Sequence, residues 1–364
     1  MKAAEVIAYL EKYAPPSLQE SYDNSGLLVG DASIELTGIL VSLDCTEDVI
    51  DDAISQGCNM VVAHHPIVFS GLKRINGKNY IERTVIKAIK NDVLIYAIHT
   101  NLDNVLDGVN QKFAERLGLI DTRILAPKKM LLKKVVTYAP TDHAETVRLA
   151  MCDAGAGNIG NYDQCSFNTP GTGTFRGNEK TDPFVGKKGE IHSEEEVRIE
   201  VIVPEFKLSS VLVAMRKSHP YEEVAFDVYG LENSWKEVGS GMIGELPTEM
   251  DALEFLKSLK TIMKTDCVRY TLPHKATVKN VAICGGSGSF LLGSAIAAKA
   301  DVFITGDLKY HQFFDADNKI IIADIGHYES EQYTIELLAE KLAENFPTFA
   351  PRLTRVKTNP INYL

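Results

Sequence analysis

The fold class that this sequence predicts is α/β: a pseudo-duplicated α/β core with mostly parallel or mixed sheets, interrupted by a ferredoxin-like α+β insert. Three observations predict it. Short apolar runs alternate with helical stretches before residue 126 and again after residue 235, the rhythm of parallel strands covered by helices. Between them the order changes to β-α-β-β-α-β, which fits a ferredoxin-like module. Both outer thirds also contain a strand that runs into a His with an acid four residues on, His99/Asp103 in one and His327/Glu331 in the other. The division expected is 1–126 and 236–364 for the two halves of the core, and 127–235 for the insert.

Taken in order, 38–43 is a short apolar run and reads as a buried strand. Residues 47–56 read as a helix closed by Gly57. The strand at 59–63 is stopped by Pro66. A helix at 81–90 and a strand at 93–98 complete the first half. In the insert, 134–139 reads as a strand, and Asp142 with Glu145 opens a helix ending near Gly155. A polar stretch at 155–190 has room for one or two short strands. Residues 197–203 read as a strand, 208–218 as a helix and 224–229 as a strand. In the last third, strands are expected at 278–284, 302–304 and 320–323, with a helix up to Lys299 and a closing amphipathic helix at 332–345.

Composition narrows the function classes. The 364 residues carry 38 Lys plus Arg against 49 Asp plus Glu, a formal charge of −11. That balance disfavours a nucleic-acid binder relying on broad phosphate neutralisation. No apolar run reaches the ~18 residues that span a bilayer, and Glu5 and Glu11 make the N-terminus an amphipathic helix and not a signal peptide. None of the six cysteines forms a C-x-x-C pair, so thiolate zinc and dithiol redox sites are not expected. Reduced thiols and a cytoplasmic location are the default expectation.

The residues that carry chemistry stand just beyond strand ends, where open α/β sheets bind ligands. They are His64, His65, His99, Asp103, His327 and Glu331. Imidazole with carboxylate suits Zn, Fe, Mn, Co or Ni. Adjacent His64 and His65 point to opposite faces in a regular strand, but a strand ending at Pro66 lets both aim at neighbouring ions. A helix starting by Tyr328 puts His327 and Glu331 on one face, where the two oxygens of Glu331 can bridge two ions. Taken singly, His-His-Pro also reads as a turn, Asp103 between Asn101 and Asn104 as turn chemistry, and Glu329 and Glu331 as a favourable charge at a helix start. Their recurrence at three strand exits favours a metal site.

These blocks, in this order, resemble one family: 61–66 (Val-Val-Ala-His-His-Pro), 99–103 (His-Thr-Asn-Leu-Asp), Thr305-Gly306-Asp307 with His311, and 326–331 (Gly-His-Tyr-Glu-Ser-Glu). The sequence is similar to the NIF-three-like family, whose members often carry the name GTP cyclohydrolase 1 type 2 homologue. The insert resembles that of the long-form members at 157–160 and 218–222. The resemblance implies a dinuclear metal centre and a toroidal homohexamer. It implies metal ligands at His64, His65, Asp103, His327 and Glu331, with Glu331 bridging two divalent ions per chain. It likens the insert to trimeric copper-tolerance and nitrogen-regulatory modules, which would cap the ring. Asp307 stands where Glu is also expected, and His99, Asp307 and His311 are candidates for outer contacts to the metal or substrate.

The function expected is a metal-dependent hydrolase acting on a nucleotide or another phosphate-bearing small molecule, with His99 or His311 carrying the proton. The alternative is a non-enzymatic metal-binding or regulatory hexamer that takes an effector or protein partner. Two other motifs weigh little. Residues 155–160 satisfy G-x-G-x-x-G, but a helix precedes them and a loop follows, the reverse of a dinucleotide site. The 285–289 loop (Gly-Gly-Ser-Gly-Ser) reads either as a phosphate cradle or as tight strand-to-helix packing.

Overall fold

The computed structural model describes residues 1–364. Fifteen strands form three sheets. In chain order they are β1 (Gly26–Val29), β2 (Ile39–Ser42), β3 (Met60–Ala63), β4 (Leu94–Ala97), β5 (Ile120–Lys128), β6 (Leu132–Pro140), β7 (Ser166–Phe175) and β8 (His192–Pro204). There follow β9 (Phe226–Leu231), β10 (Trp235–Asp251), β11 (Arg269–Tyr270), β12 (Thr277–Ser287), β13 (Val302–Gly306), β14 (Ile321–Asp324) and β15 (Arg352–Leu353). The chain divides into two compact units. One comprises Met1–Pro127 with Glu237–Leu364, and the other Lys128–Lys236. No helix is long and apolar enough to cross a membrane.

The first unit contains two sheets of related design. In the five-stranded sheet, order β1-β4-β3-β2-β15, strands β2, β3 and β4 run parallel and β1 closes one edge antiparallel. In the six-stranded sheet, order β11-β14-β13-β12-β10-β5, strands β12, β13 and β14 run parallel, and β11 and β10 flank them antiparallel. Strands β2, β3, β4, β13 and β14 are buried along their whole length. This is why they read as unbroken apolar runs in the sequence, without alternation. The helices that cover the first sheet are fixed at their starts: Thr46 Oγ accepts from the Val49 amide, and Asn79 Oδ1 accepts from Glu82. Their apolar faces, Val49 and Ile50 on one and Val85 and Ala88 on the other, pack with Val61 and Ile95 of the sheet. Full burial stabilises each large aliphatic side chain by about 1.5–3 kcal/mol.

Among the segments not expected from the sequence, three matter most here: β10, the helix that follows it and β15. β10 runs for 17 residues, although Gly239, Gly241, Gly244 and Pro247 interrupt it with residues that normally weaken strands. Its register against β12 shifts between Glu245 and Met250, where Pro247 falls. The helix Ala252–Ile262 follows directly, capped by Asp251, whose carboxylate accepts from the Leu253 and Glu254 amides. β15 is two residues long and is held from outside. Asp52, in the helix Glu47–Ser55, accepts from the Arg355 amide at 2.8 Å, its Nε at 2.8 Å and the Thr354 hydroxyl at 3.0 Å.

That clamp is pH-dependent. Burial opposes the Asp52 charge, but the Arg355 amide and guanidinium outweigh it and hold the carboxyl below its usual range. A depressed folded-state value means stability that is complete above the unfolded value, ~4, and is lost as pH falls through the folded value. Asp52→Asn is expected to cost about 2 kcal/mol at pH 7. In urea unfolding, the gap between variant and parent should close as pH falls toward 3; a gap independent of pH would contradict the assignment.

The second unit is a four-stranded antiparallel sheet, order β7-β8-β6-β9, with the helices Ala144–Asp153 and Leu208–Ser218 packed against it. The element order is β-α-β-β-α-β, the ferredoxin-like arrangement. Its β7 lies within the polar stretch and contains Pro170, Gly171 and Gly173. It tolerates them because it is an edge strand, paired only with β8.

Candidate metal centre

The parallel register of the first sheet brings three strand exits level. Ser42 pairs with Ala63 and Ala63 with Ala97, so Asp44, His65 and His99 each stand two residues past the same rung. In the second sheet Thr305 pairs with Asp324, which sets Asp307 two residues past the rung and Gly326 beside it. Gly326 has φ +96° and precedes a short helix, His327–Glu331. Most side chains are strained at that angle, and the turn lets His327 and Glu331 lie one helical turn apart.

These exits converge on Glu331, which is 3% exposed. Its Oε2 lies 2.9 Å from His65 Nε2 and 3.1 Å from His327 Nε2, and those two nitrogens are 3.4 Å apart. Its Oε1 lies 3.9 Å from His64 Nε2, which is 3.6 Å from Asp103 Oδ1. Two groups of three donors thus share one carboxylate: His65, His327 and Glu331, and His64, Asp103 and Glu331. His64, His65 and His99 make a third group. Each group could hold a metal ion.

Every imidazole is oriented from behind. His64 Nδ1 is 2.8 Å from the Ile98 carbonyl; a carbonyl only accepts, so the proton sits on Nδ1 and the Nε2 lone pair faces the cluster. His65 Nδ1 meets Asp44 at 2.7 Å, His327 Nδ1 meets Asp307 at 2.6 Å, and His99 Nδ1 meets Asp23 at 2.7 Å. A carboxylate or carbonyl behind an imidazole fixes its tautomer and raises its basicity, the usual support of a metal ligand. The sequence reading identified Asp307 but not Asp44 or Asp23. Asp44 carried a signal, an acid just past the buried β2; Asp23 lies in a loop before β1, where nothing local points to it.

The charge state shows how strongly these groups feel one another. Burial opposes a charge on His65, yet Asp44 and Glu331 outweigh it and raise the imidazole to about 9. Burial likewise opposes His327, and Glu331 and Asp307 raise it to about 11. Burial, then the neighbouring Glu331, pushes Asp103 up to about 7. Glu331 itself is held well below its usual range, its burial outweighed chiefly by His327.

The donor set fits divalent ions on two grounds. Three donors around one ion at about 2.0–2.1 Å stand roughly 3.3 Å apart in a tetrahedral site, close to the 2.9, 3.1 and 3.4 Å separations of the first group. In the second group, His64 Nε2 and Asp103 Oδ1 are buried without a hydrogen-bond partner, a state that costs about 1–3 kcal/mol per group and that a shared cation relieves. Asp44→Asn keeps the shape behind His65 but removes the charge. It should weaken metal affinity about 10- to 100-fold in chelator competition; unchanged affinity would deny Asp44 this role.

The 285–289 loop is packing, not a phosphate cradle. The Gly285 amide donates to Asn110 Oδ1 at 3.0 Å, Gly286 to Ser330 Oγ at 2.9 Å and Gly288 to Thr305 Oγ1 at 2.9 Å. These amides are therefore occupied within the fold. His311 lies outside the three groups, in the turn of helix Tyr310–Ala316, with its ring against Tyr310 and Phe314.

Comparison with known proteins places the chain in a family. The model of the Duf34/NIF3 (NGG1p interacting factor 3) family matches residues 1–360. A Halalkalibacterium halodurans protein named GTP cyclohydrolase 1 type 2 homolog is 43% identical over 324 residues, covering 88% of this chain and 87% of that protein. A Bacillus subtilis protein of the same name is 37% identical over 366 residues, covering 99% and 98%. Among solved structures, a Bacillus cereus protein related to NIF3 superposes with a TM-score of 0.86 at 38% identity, covering 100% of this chain and 99% of that one. Staphylococcus aureus protein SA1388 gives 0.79 at 30% identity, with the same coverage. Metal-type donors at strand exits, an interrupted α/β core and a match over nearly the whole length agree: this chain belongs to the Duf34/NIF3 family.

Proposed function

We propose that this protein binds two divalent metal ions and is a metal-dependent hydrolase acting on a nucleotide. The observation that carries the reading is one buried carboxylate, Glu331, with each oxygen turned to a different pair of donors. His64, Asp103 and Glu331 Oε1 would hold one ion; His65, His327 and Glu331 Oε2 would hold the other. Imidazole and carboxylate donors suit Zn, Fe, Mn, Co or Ni. Bound there, such ions supply Lewis acidity, acidifying water and polarising the bond to be broken.

The chain's own residues supply the rest. His99 is the proton carrier: Asp23 engages its Nδ1, leaving Nε2 to give or take a proton. Asp23 is held far below the usual carboxylate range, its burial outweighed by His99 and Thr100, so it stays a hydrogen-bond acceptor behind the ring. Phe69 packs edge-on to His99 with ring centroids 6.3 Å apart, and Tyr22 lies 6.2 Å from Phe69. Both are exposed and offer flat faces to a base. The name carried by the relatives supports a nucleotide as the substrate class.

Metal-loaded protein should therefore open or hydrolyse at least one member of a panel of GTP, other nucleotides and phosphoesters. His64→Ala should lower that rate at least ~100-fold, as loss of a ligand does. A wild-type protein inert across the panel would contradict the hydrolase reading while leaving the metal site standing.

A further inference from the structure

The ferredoxin-like unit contains a cavity of about 600 Å³ that the metal centre does not use. Every residue lining it belongs to Lys128–Lys236. That volume is in the range of small-molecule sites and far larger than a bare metal ion requires.

Three aromatic rings and one buried acid define its chemistry. Tyr221 stands between Phe175 and Phe184, with ring centroids 6.1 and 6.3 Å apart and planes tilted by 59° and 51°. The rings therefore form walls and do not stack into a core. Phe184 is 53% exposed and lines the cavity, so its ring is open to a ligand there. Glu196 is 8% exposed and its Oε1 accepts from the Tyr221 hydroxyl at 2.8 Å. Burial and then the Glu196 carboxylate push the Tyr221 phenol upward, so the hydroxyl stays protonated and donates. Across the sheet, the Glu196 carboxylate lies against Gly173 of β7, where a Cβ would collide with it. A glycine is what admits the acid at that point.

The balance of charge gives the sign of the ligand. Glu196, Glu222 and Glu223 line the cavity, and so do Arg198 and Arg176. Arg198 is engaged by Glu200 at 3.0 Å, which leaves Arg176 against three carboxylates. A buried carboxylate with a phenol for its one hydrogen bond favours a counter-charge, and the faces of aromatic rings attract cations. We propose that this cavity binds a small organic cation, an amine or guanidinium on an apolar body, with its charge at Glu196 and its body between Phe175, Phe184 and Tyr221. Arg176 opposes such a ligand from the rim.

Titration of the full-length protein with phenethylamine, agmatine and tetramethylammonium tests this, with phenylacetate and inorganic phosphate as anionic counterparts. At least one of the three cations should bind saturably below about 1 mM. Glu196→Gln should weaken it at least ~10-fold, Phe184→Ala several-fold, and Arg176→Ala should tighten it. Phe184 is exposed enough for its variant to fold even if Glu196→Gln does not. The proposal is overturned if none of the cations binds up to 10 mM, or if an anion binds instead and Arg176→Ala weakens it.

Discussion

Glu331→Gln is expected to abolish binding of at least one of the two proposed ions while the chain stays folded. The reasoning is local. Glu331 is 3% exposed and its two oxygens face different donor pairs. Glutamine keeps the volume, so packing around the short helix His327–Glu331 survives. It removes the only charge shared by both groups and replaces one acceptor oxygen by an NH2 that cannot ligate. Removing one partner of a buried charged set costs about 3–5 kcal/mol, a loss of two to four orders of magnitude in affinity. Without metal, the variant also takes from His65 and His327 the buried anion they pair with, so the metal-free variant should unfold at a lower temperature than the metal-free parent while remaining folded at room temperature. Elemental analysis after dialysis should find at most one ion per chain in the variant; two retained ions would remove Glu331 from the bridging role.

Gly286→Ala should weaken the same centre, by a smaller factor, from a residue that holds no ion. Gly286 has φ +63°, where an L side chain costs roughly 1–2 kcal/mol. A Cβ there would collide with Glu331 Oε1 and lie 3.3 Å from His327 Cε1. The carboxylate is the end of a flexible side chain, so Oε1 is the atom that yields, and its alignment with His64 is lost. The group of His64, Asp103 and Glu331 should lose its ion first, with affinity down at least ~10-fold, while the group built on Oε2 suffers less. Two-step chelator titration that still shows two unchanged affinities would mean that the loop yields and the collision does not form.

The sequence showed the α/β fold class and singled out the donor residues that the structure brings together. His64, His65, Asp103, His327 and Glu331 were legible because each follows an apolar run that could only be a buried strand, and the runs are continuous because parallel strands are covered on both faces. The register that makes His65 and His99 level was not legible, since it depends on pairing between strands far apart in the chain. Asp23 went unread for the same reason: it reaches His99 across 76 residues. β10 was hidden by its own glycines and Pro247, and the helix Ala252–Ile262 by its abrupt start at the end of that strand. In the polar stretch 155–190, β7 was obscured because an edge strand accepts the proline and glycines that composition rules count against it. The 285–289 loop left two readings open until its amides could be followed to Asn110, Ser330 and Thr305.

The central claim is that two cations are held jointly by side chains from both ends of the polypeptide. Crystals of the protein grown with manganese, measured at a wavelength where manganese scatters anomalously, test it most directly. The account predicts two anomalous peaks per chain, one on each side of the Glu331 carboxylate, the first against His64 and Asp103 and the second against His65 and His327. A single peak that does not touch Glu331, or no peak among these imidazoles, would contradict it.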